Sequence, residues 1–262
     1  MTRVLSALVL LPIVIGAVWF LPPVATLVLA LIAAVLAFIE YVGIAAALGA
    51  DVPLAVPGAA VLGACAALGG GWAVVDVVLM TAIITVGAMA VASGRPGPEI
   101  LRNSAAALFP ILYIGLPLGA LAAVRVSGGR EAVLLMMATI VISDSAQYYT
   151  GRALGRRPLA PTISPKKTLE GAIGGLVFGT LAFVVGARFV FPEAAVLLLA
   201  LVGASIAALG IVGDLFESLL KRSAGVKDSG TLIPGHGGVL DRIDSWLFAA
   251  PMYYVFVRYF RF

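Results

Sequence analysis

The stretch from Asp214 to Asp244 carries the densest polar chemistry of the chain. If a helix runs through Gly213-Asp214-Leu215-Phe216-Glu217-Ser218-Leu219-Leu220-Lys221-Arg222, then Asp214, Glu217, Ser218 and Lys221 fall at i, i+3, i+4 and i+7, on one face. Lys227-Asp228-Ser229-Gly230 follows, then Pro234-Gly235-His236-Gly237-Gly238, then Asp241-Arg242-Ile243-Asp244. Asp241 and Asp244, three apart, open another helix, where carboxylates also suit the helix dipole. Hard oxygen ligands on two helices, among Lys and Arg, describe a phosphate site organised by Mg²⁺. That ion takes one or two protein carboxylates and completes its shell with water and substrate phosphate. The glycine-rich turn lets backbone N–H groups approach a phosphate. No GxxxxGK[ST] and no strand-linked GxGxxG is present, so this is neither a P-loop nor a Rossmann site.

A second polar stretch runs from Asp144 to Gly171 and contains Ser164, Pro165, Lys166, Lys167 and Thr168. Pro165 directly after Ser164 suits a helix N-terminus, where free N–H groups attract phosphate. Taken singly, charges at helical spacing describe a solvated face, and Asp241-Arg242-Ile243-Asp244 an ordinary helix start with an ion pair. The position of the whole cluster between apolar runs is what favours function, because carboxylates near membrane depth need partners or a metal. His236 is the sole histidine and Cys65 the sole cysteine, which leaves no zinc set. His236 therefore reads as loop-structuring or phosphate-contacting before it reads as a general base.

The elements that must hold these residues are membrane helices. Of 262 residues, 62% are hydrophobic and 11% charged, too apolar for a soluble or disordered chain. A single cysteine excludes a disulfide-stapled domain. At about 20 residues per span, the apolar content supplies about eight or nine spans. Breaks at Pro, Gly and charge place nine of them, at 4–20, 24–48, 54–70, 73–92, 104–124, 131–150, 171–190, 194–213 and 244–260. The fold class is thus all-α: a polytopic integral membrane protein of about nine transmembrane helices with two polar cytoplasmic loops, 151–170 and 214–243. It forms a single membrane domain, 1–262, in which 1–130 embeds and packs and 131–262 carries the site. The first run is retained as a span, since no small-residue cleavage site leads into a polar mature domain.

Counting Lys and Arg by side gives 12 on the face of the N-terminus and both long loops, and 5 on the other. That bias puts the N-terminus and the site in the cytoplasm and the C-terminus outside, as for a bacterial inner-membrane protein. The net charge of +4 is met by such loops and anionic lipid; no basic stripe interleaved with aromatics suggests nucleic acid. Gly171, Gly175, Gly179 and Gly186, with Gly115 and Gly119, form small-residue stripes. Their reading is close packing inside one subunit before a homodimer seam. Glu40 and Asp76 lie outside both motifs; Glu40 reads as a buried, hydrogen-bonded carboxyl and Asp76 as an interface residue.

Across residues 218–244 the chain resembles, without departure, the phosphatidate cytidylyltransferases, also called CDP-diacylglycerol synthases. The resemblance extends upstream through Asp144, Gln147, Tyr148, Gly151 and Arg152, then Pro161, Ser164 to Thr168, Glu170 and Gly171. Leu169 stands where many members carry an aromatic residue, and the first half is similar only in hydropathy and length. The resemblance implies transfer of CMP from CTP to phosphatidic acid, giving CDP-diacylglycerol and pyrophosphate. It implies Mg²⁺ at Asp214 and Asp241 with Asp244 in support, and leaves room for a second cation. Lys221, Arg222, Lys227 and Arg242 would contact lipid phosphate or triphosphate, with Asp228 and His236 in the same catalytic loop. Ser164, Lys166, Lys167 and Thr168 would form part of the CTP pocket, reached also by Asp144. Positive-inside topology alone would also put lysines at 166 and 167.

Two alternatives stay open at this stage. A secondary transporter would show inverted repeats and broken helices at the midplane, and neither is evident. A related cytidylyltransferase acting on an ether or prenyl lipid differs in the tail, which any apolar span could contact; a prenol or polyprenol kinase is the other form of this alternative, and the long motif argues against it.

Overall fold

The computed structural model describes residues 12–94, 96–232 and 237–260. His236, with Ile233, Pro234 and Gly235, lies outside the described residues. Residues 12–20 are helical; then come α1 (Pro23–Ala47), α2 (Ala55–Gly69), α3 (Val75–Ala92) and α4 (Glu99–Pro110). A π-helical turn, Ile111–Gly115, leads into α5 (Leu116–Leu154), followed by β1 (Pro158–Ala160), β2 (Ser164–Thr168), α6 (Leu169–Val190), α7 (Val196–Ser223) and α8 (Leu240–Tyr259).

Five helical segments among the described residues are long and apolar enough to cross a membrane: Pro23–Ala47, Val75–Ala92, Glu99–Leu154, Leu169–Val190 and Val196–Ser223. This is an integral membrane protein, built almost wholly of helix. The sequence suggests nine spans, of which the first falls partly outside the described residues. The other differences have physical causes. Helix α2 has 15 residues, short of a span. The runs 104–124 and 131–150 belong to one continuous helical segment, and α8 carries Asp241, Arg242 and Asp244 in its opening turns.

That continuous segment is nonetheless bent. Gly129 sits at φ 81°, ψ −178°, a region open essentially to glycine alone, so α5 is two helices joined there. Farther upstream, Pro110 has no N–H to give the Ala106 carbonyl, and the Tyr41 hydroxyl of α1 donates to it instead at 2.9 Å. The π-helical turn begins one residue later, a common response to a disrupted ladder.

The chain divides into two compact units: Met1–Val126 with Leu220–Arg242, and Ser127–Leu219 with Ile243–Phe262. In the first, the Gly115 and Gly119 stripe packs on α2; a Cβ at Gly119 would lie 2.8 Å from the Cys65 carbonyl. In the second, Tyr253 is fully buried, donates to the Ala132 carbonyl at 3.0 Å and meets Phe183 edge-on at 5.8 Å between ring centres. There the α6 stripe faces α5: a Cβ on Gly171 would lie 2.8 Å from the Gln147 carbonyl, and one on Gly175 3.0 Å from that of Ser143. Both stripes are thus used inside the chain.

Gly175→Val would press a branched side chain onto the Ser143 carbonyl, a neighbour that cannot swing away. The expected cost is about 3 kcal/mol, the upper end for overpacking. Size-exclusion of detergent-solubilised protein should show the monodisperse peak lost or much reduced.

Candidate active site

In the second unit, the loop after α5 is a small antiparallel hairpin with Pro158 opposite Thr168 and Ala160 opposite Ser164. This corrects the reading of Ser164-Pro165 as a helix start. The residues Ser164–Thr168 form strand β2, and Thr168 is the N-cap of α6, its Oγ1 accepting the Gly171 N–H at 3.1 Å. Glu170, one residue into α6, accepts the N–H groups of Arg156 and Arg157 at 3.0 and 3.2 Å, which ties the hairpin to the helix start. Successive strand residues point to opposite faces. Lys166 is therefore exposed, while Lys167 turns inward and its Nζ donates to Asp214 Oδ2 of α7.

Asp214 follows Gly213, where a Cβ would press on the Asp244 carbonyl of α8. Ser218, one turn on, approaches Asp214 Oδ1 at 3.5 Å. Asp144 accepts from Gln147 Nε2 at 3.0 Å and feels the charges of both Asp214 and Lys167. Two carboxylates and an ammonium are thereby brought together from α5, β2 and α7. Asp244 is half-buried, with Oδ1 accepting the Ser245 N–H at 2.7 Å.

In the first unit, Gly225 at φ 70° ends α7, with Val226 N–H returning to the Lys221 carbonyl at 2.9 Å. Lys221 is buried, and its Nζ donates to Asp241 Oδ1 on the first turn of α8. The other oxygen, Asp241 Oδ2, accepts Gly238 N–H at 2.8 Å, Ser229 N–H at 2.9 Å and lies 3.0 Å from Ser229 Oγ. Burial by itself would raise this carboxyl. The Lys221 ammonium and the two backbone N–H groups together outweigh it and hold Asp241 below the usual carboxylate range. Arg222 donates to the Val226 carbonyl at 3.3 Å; Arg222, Lys227, Asp228 and Arg242 are exposed.

Glu40 belongs to this second cluster, although it lies in an apolar run of α1 far from either motif. Its carboxylate accepts Ser229 Oγ at 2.9 Å and the N–H groups of Val239 and Leu240 at 2.8 Å each. The expected hydrogen-bonded carboxyl is there, and its partners are the motif itself. The one available signal was a carboxylate inside an otherwise apolar helix.

Both acidic centres carry a lysine: Lys167 on Asp214, Lys221 on Asp241. Such pairs can release an ammonium to an incoming phosphate and keep the carboxylate's charge for a cation.

Over 135 residues the chain is 44% identical to an uncharacterized protein, YnbB, of Escherichia coli K12, covering 52% of this chain and 45% of that one. It is 40% identical over 150 residues to a phosphatidate cytidylyltransferase of Staphylococcus haemolyticus, covering 57% of each. It is 45% identical over 131 residues to phosphatidate cytidylyltransferase 5, chloroplastic, of Arabidopsis thaliana, covering 50% of this chain and 32% of that one. The chain thus spans about half the length, or less, of these curated relatives. The family signature itself runs on through almost the whole sequence, residues 1–260, and by that match the chain belongs to the Cytidylyltransferase family.

Proposed function

We propose that this protein transfers CMP from CTP to phosphatidic acid, releasing pyrophosphate and leaving CDP-diacylglycerol in the membrane. What carries the reading is the pair of lysine–carboxylate centres, Lys167–Asp214 and Lys221–Asp241, in a chain of this family. The names of the relatives favour phosphatidate as the acceptor. In the reaction a phosphate oxygen of the lipid attacks the α-phosphorus of CTP, a new P–O–P bond forms, and the bond to the β-phosphate oxygen breaks. The attacking oxygen is already largely ionised near neutral pH, since a phosphomonoester loses its second proton at about pH 6. A general base is therefore not needed. The work left to the protein is to gather polyanions and stabilise charge on the departing pyrophosphate.

In this reading Ser164, Lys166, Lys167 and Thr168 hold the nucleotide, and Lys221, Arg222, Lys227 and Arg242 hold lipid phosphate or triphosphate. Asp228 and His236 complete the loop. Among the described residues no three His, Cys, Asp or Glu side chains converge as a metal cage. Two carboxylates are what Mg²⁺ uses when phosphates and water fill its remaining positions, so Asp144 with Asp214 fits that ion. At Asp241 a cation would take the place of Lys221 on Oδ1, with Asp244 nearby in sequence. When bound, Mg²⁺ would neutralise phosphate charge and polarise the α-phosphoryl group. The 12-to-5 bias of Lys and Arg supports a cytoplasmic N-terminus and active site with the C-terminus outside.

The test uses purified protein in detergent with radiolabelled CTP, dioleoyl phosphatidic acid and Mg²⁺. Label should enter a chloroform-soluble product, fall to background with EDTA, and stay absent when labelled ATP replaces CTP. Well-folded protein that gives no lipid product with phosphatidic acid would overturn this reading.

A further inference from the structure

Glu40 acts on the Ser229–Asp241 loop in a way that neither the motif nor the proposed reaction assigns. It sits on α1, 189 residues from Ser229 and 200 from Leu240, and yet its carboxylate is a principal acceptor for that loop. Oε1 takes the Val239 N–H; Oε2 takes the Leu240 N–H and the Ser229 hydroxyl. Val239 immediately precedes α8 and Leu240 opens it, where N–H groups have no partner inside the helix and the dipole favours a negative charge. Asp241 is the next residue.

Ser229 links the two carboxylates directly. Its Oγ lies 2.9 Å from Glu40 Oε2 and 3.0 Å from Asp241 Oδ2, while its N–H donates to Asp241. The hydroxyl has one proton and serves one oxygen at a time. Two glycines let the loop sit this close. A Cβ at Gly230 would lie 3.0 Å from Glu40 Oε1, and one at Gly238 would collide with Glu40 Oε2 and Ser229 Oγ. Glu40 thus fixes the two backbone N–H groups immediately before Asp241 and, through the Ser229 hydroxyl, the loop residue that donates to it, and so the direction in which Asp241 presents Oδ1 to Lys221.

We propose that Glu40 is a positioning residue for the reaction: through Ser229 and the first turn of α8 it holds Asp241 in register with Lys221. This rests on the reading of the preceding subsection. Outer partners of this kind typically change activity roughly 10- to 100-fold when removed.

The test compares wild type, Glu40→Gln, Ser229→Ala and the double variant as full-length protein in detergent, by kcat, by KM for CTP and by Tm. Gln keeps the volume of Glu, but its amide nitrogen cannot accept from a backbone N–H, so one of the two α8 donors loses its acceptor. Glu40→Gln should lower kcat about tenfold or more and leave KM for CTP within about twofold. Because both residues act along one path, the double variant should fall no more than about twofold below the worse single one.

Three results would overturn the proposal. One is an unchanged kcat per folded molecule in Glu40→Gln with only Tm lowered, as a purely structural role requires. Another is a double variant whose loss equals the product of the single losses. If instead wild type itself transfers no CMP to phosphatidic acid, the functional reading fails and the proposal falls with it.

Discussion

Asp241→Asn is expected to abolish turnover, with kcat reduced by about three orders of magnitude in the CTP and phosphatidate assay. The reason is specific to where this carboxylate sits. Its side chain is 6% exposed and that of Lys221 10%, so the pair is screened from water. Its two oxygens meet Lys221, Gly238 N–H and Ser229 N–H, and share the Ser229 hydroxyl with Glu40. Asn keeps the volume and one acceptor but removes the charge, and its amide nitrogen must face donors. Losing one partner of a buried pair typically costs about 3–5 kcal/mol. The variant should therefore also melt earlier in detergent, a readout independent of activity. Since the folded-state carboxyl is held below the usual range, its stabilisation is complete above the unfolded value and lost only as pH falls through the lower folded one. The Tm gap between wild type and Asp241→Asn should accordingly be flat above about pH 5 and close below about pH 4. A variant with near-normal kcat, or a gap that grows on acidification, would contradict this account.

Asp214→Asn is expected to be nearly as damaging to activity and almost silent in stability. Here the ion pair is partly solvated, with Lys167 21% and Asp214 32% exposed, and such pairs contribute about 0–1 kcal/mol. The charge matters for a different reason. Asp214 holds Lys167 turned inward from β2, and in the proposed reading it and Asp144, which feels its charge, would serve a divalent ion. Its loss should lower kcat/KM for CTP at least about 100-fold and raise the Mg²⁺ concentration needed for half-maximal rate roughly tenfold. An unchanged Mg²⁺ dependence would remove Asp214 from the metal site. A large drop in Tm would show that the pair is structural. The contrast between the two variants is the useful observation, because one carboxylate is buried and the other is not.

Much of this molecule is legible in its residues. Apolar runs broken at Pro22-Pro23, at Asp51 to Pro53 and at Ser93 to Pro98 give the helices, because backbone groups in lipid must be satisfied internally. The i, i+3, i+4, i+7 face of Asp214 to Lys221 and the Asp241–Asp244 opening turn come from helical geometry alone, and α7 and α8 carry them. The hairpin at Pro158–Thr168 was not legible. Short strands carry little periodicity, and Ser-Pro followed by Lys-Lys-Thr-Leu-Glu reads equally well as a helix start.

What the sequence by itself determined is therefore the solvent of the protein, its helices and the kind of chemistry, since composition and local spacing act within a turn or two. Only the tertiary structure decided the partners. Lys167 meets Asp214 across 47 residues, Lys221 meets Asp241 across 20, and Glu40 reaches the loop across about 200. A buried carboxylate must be paired wherever the fold places a donor, and that placement depends on glycine-lined helix contacts rather than on distance along the chain.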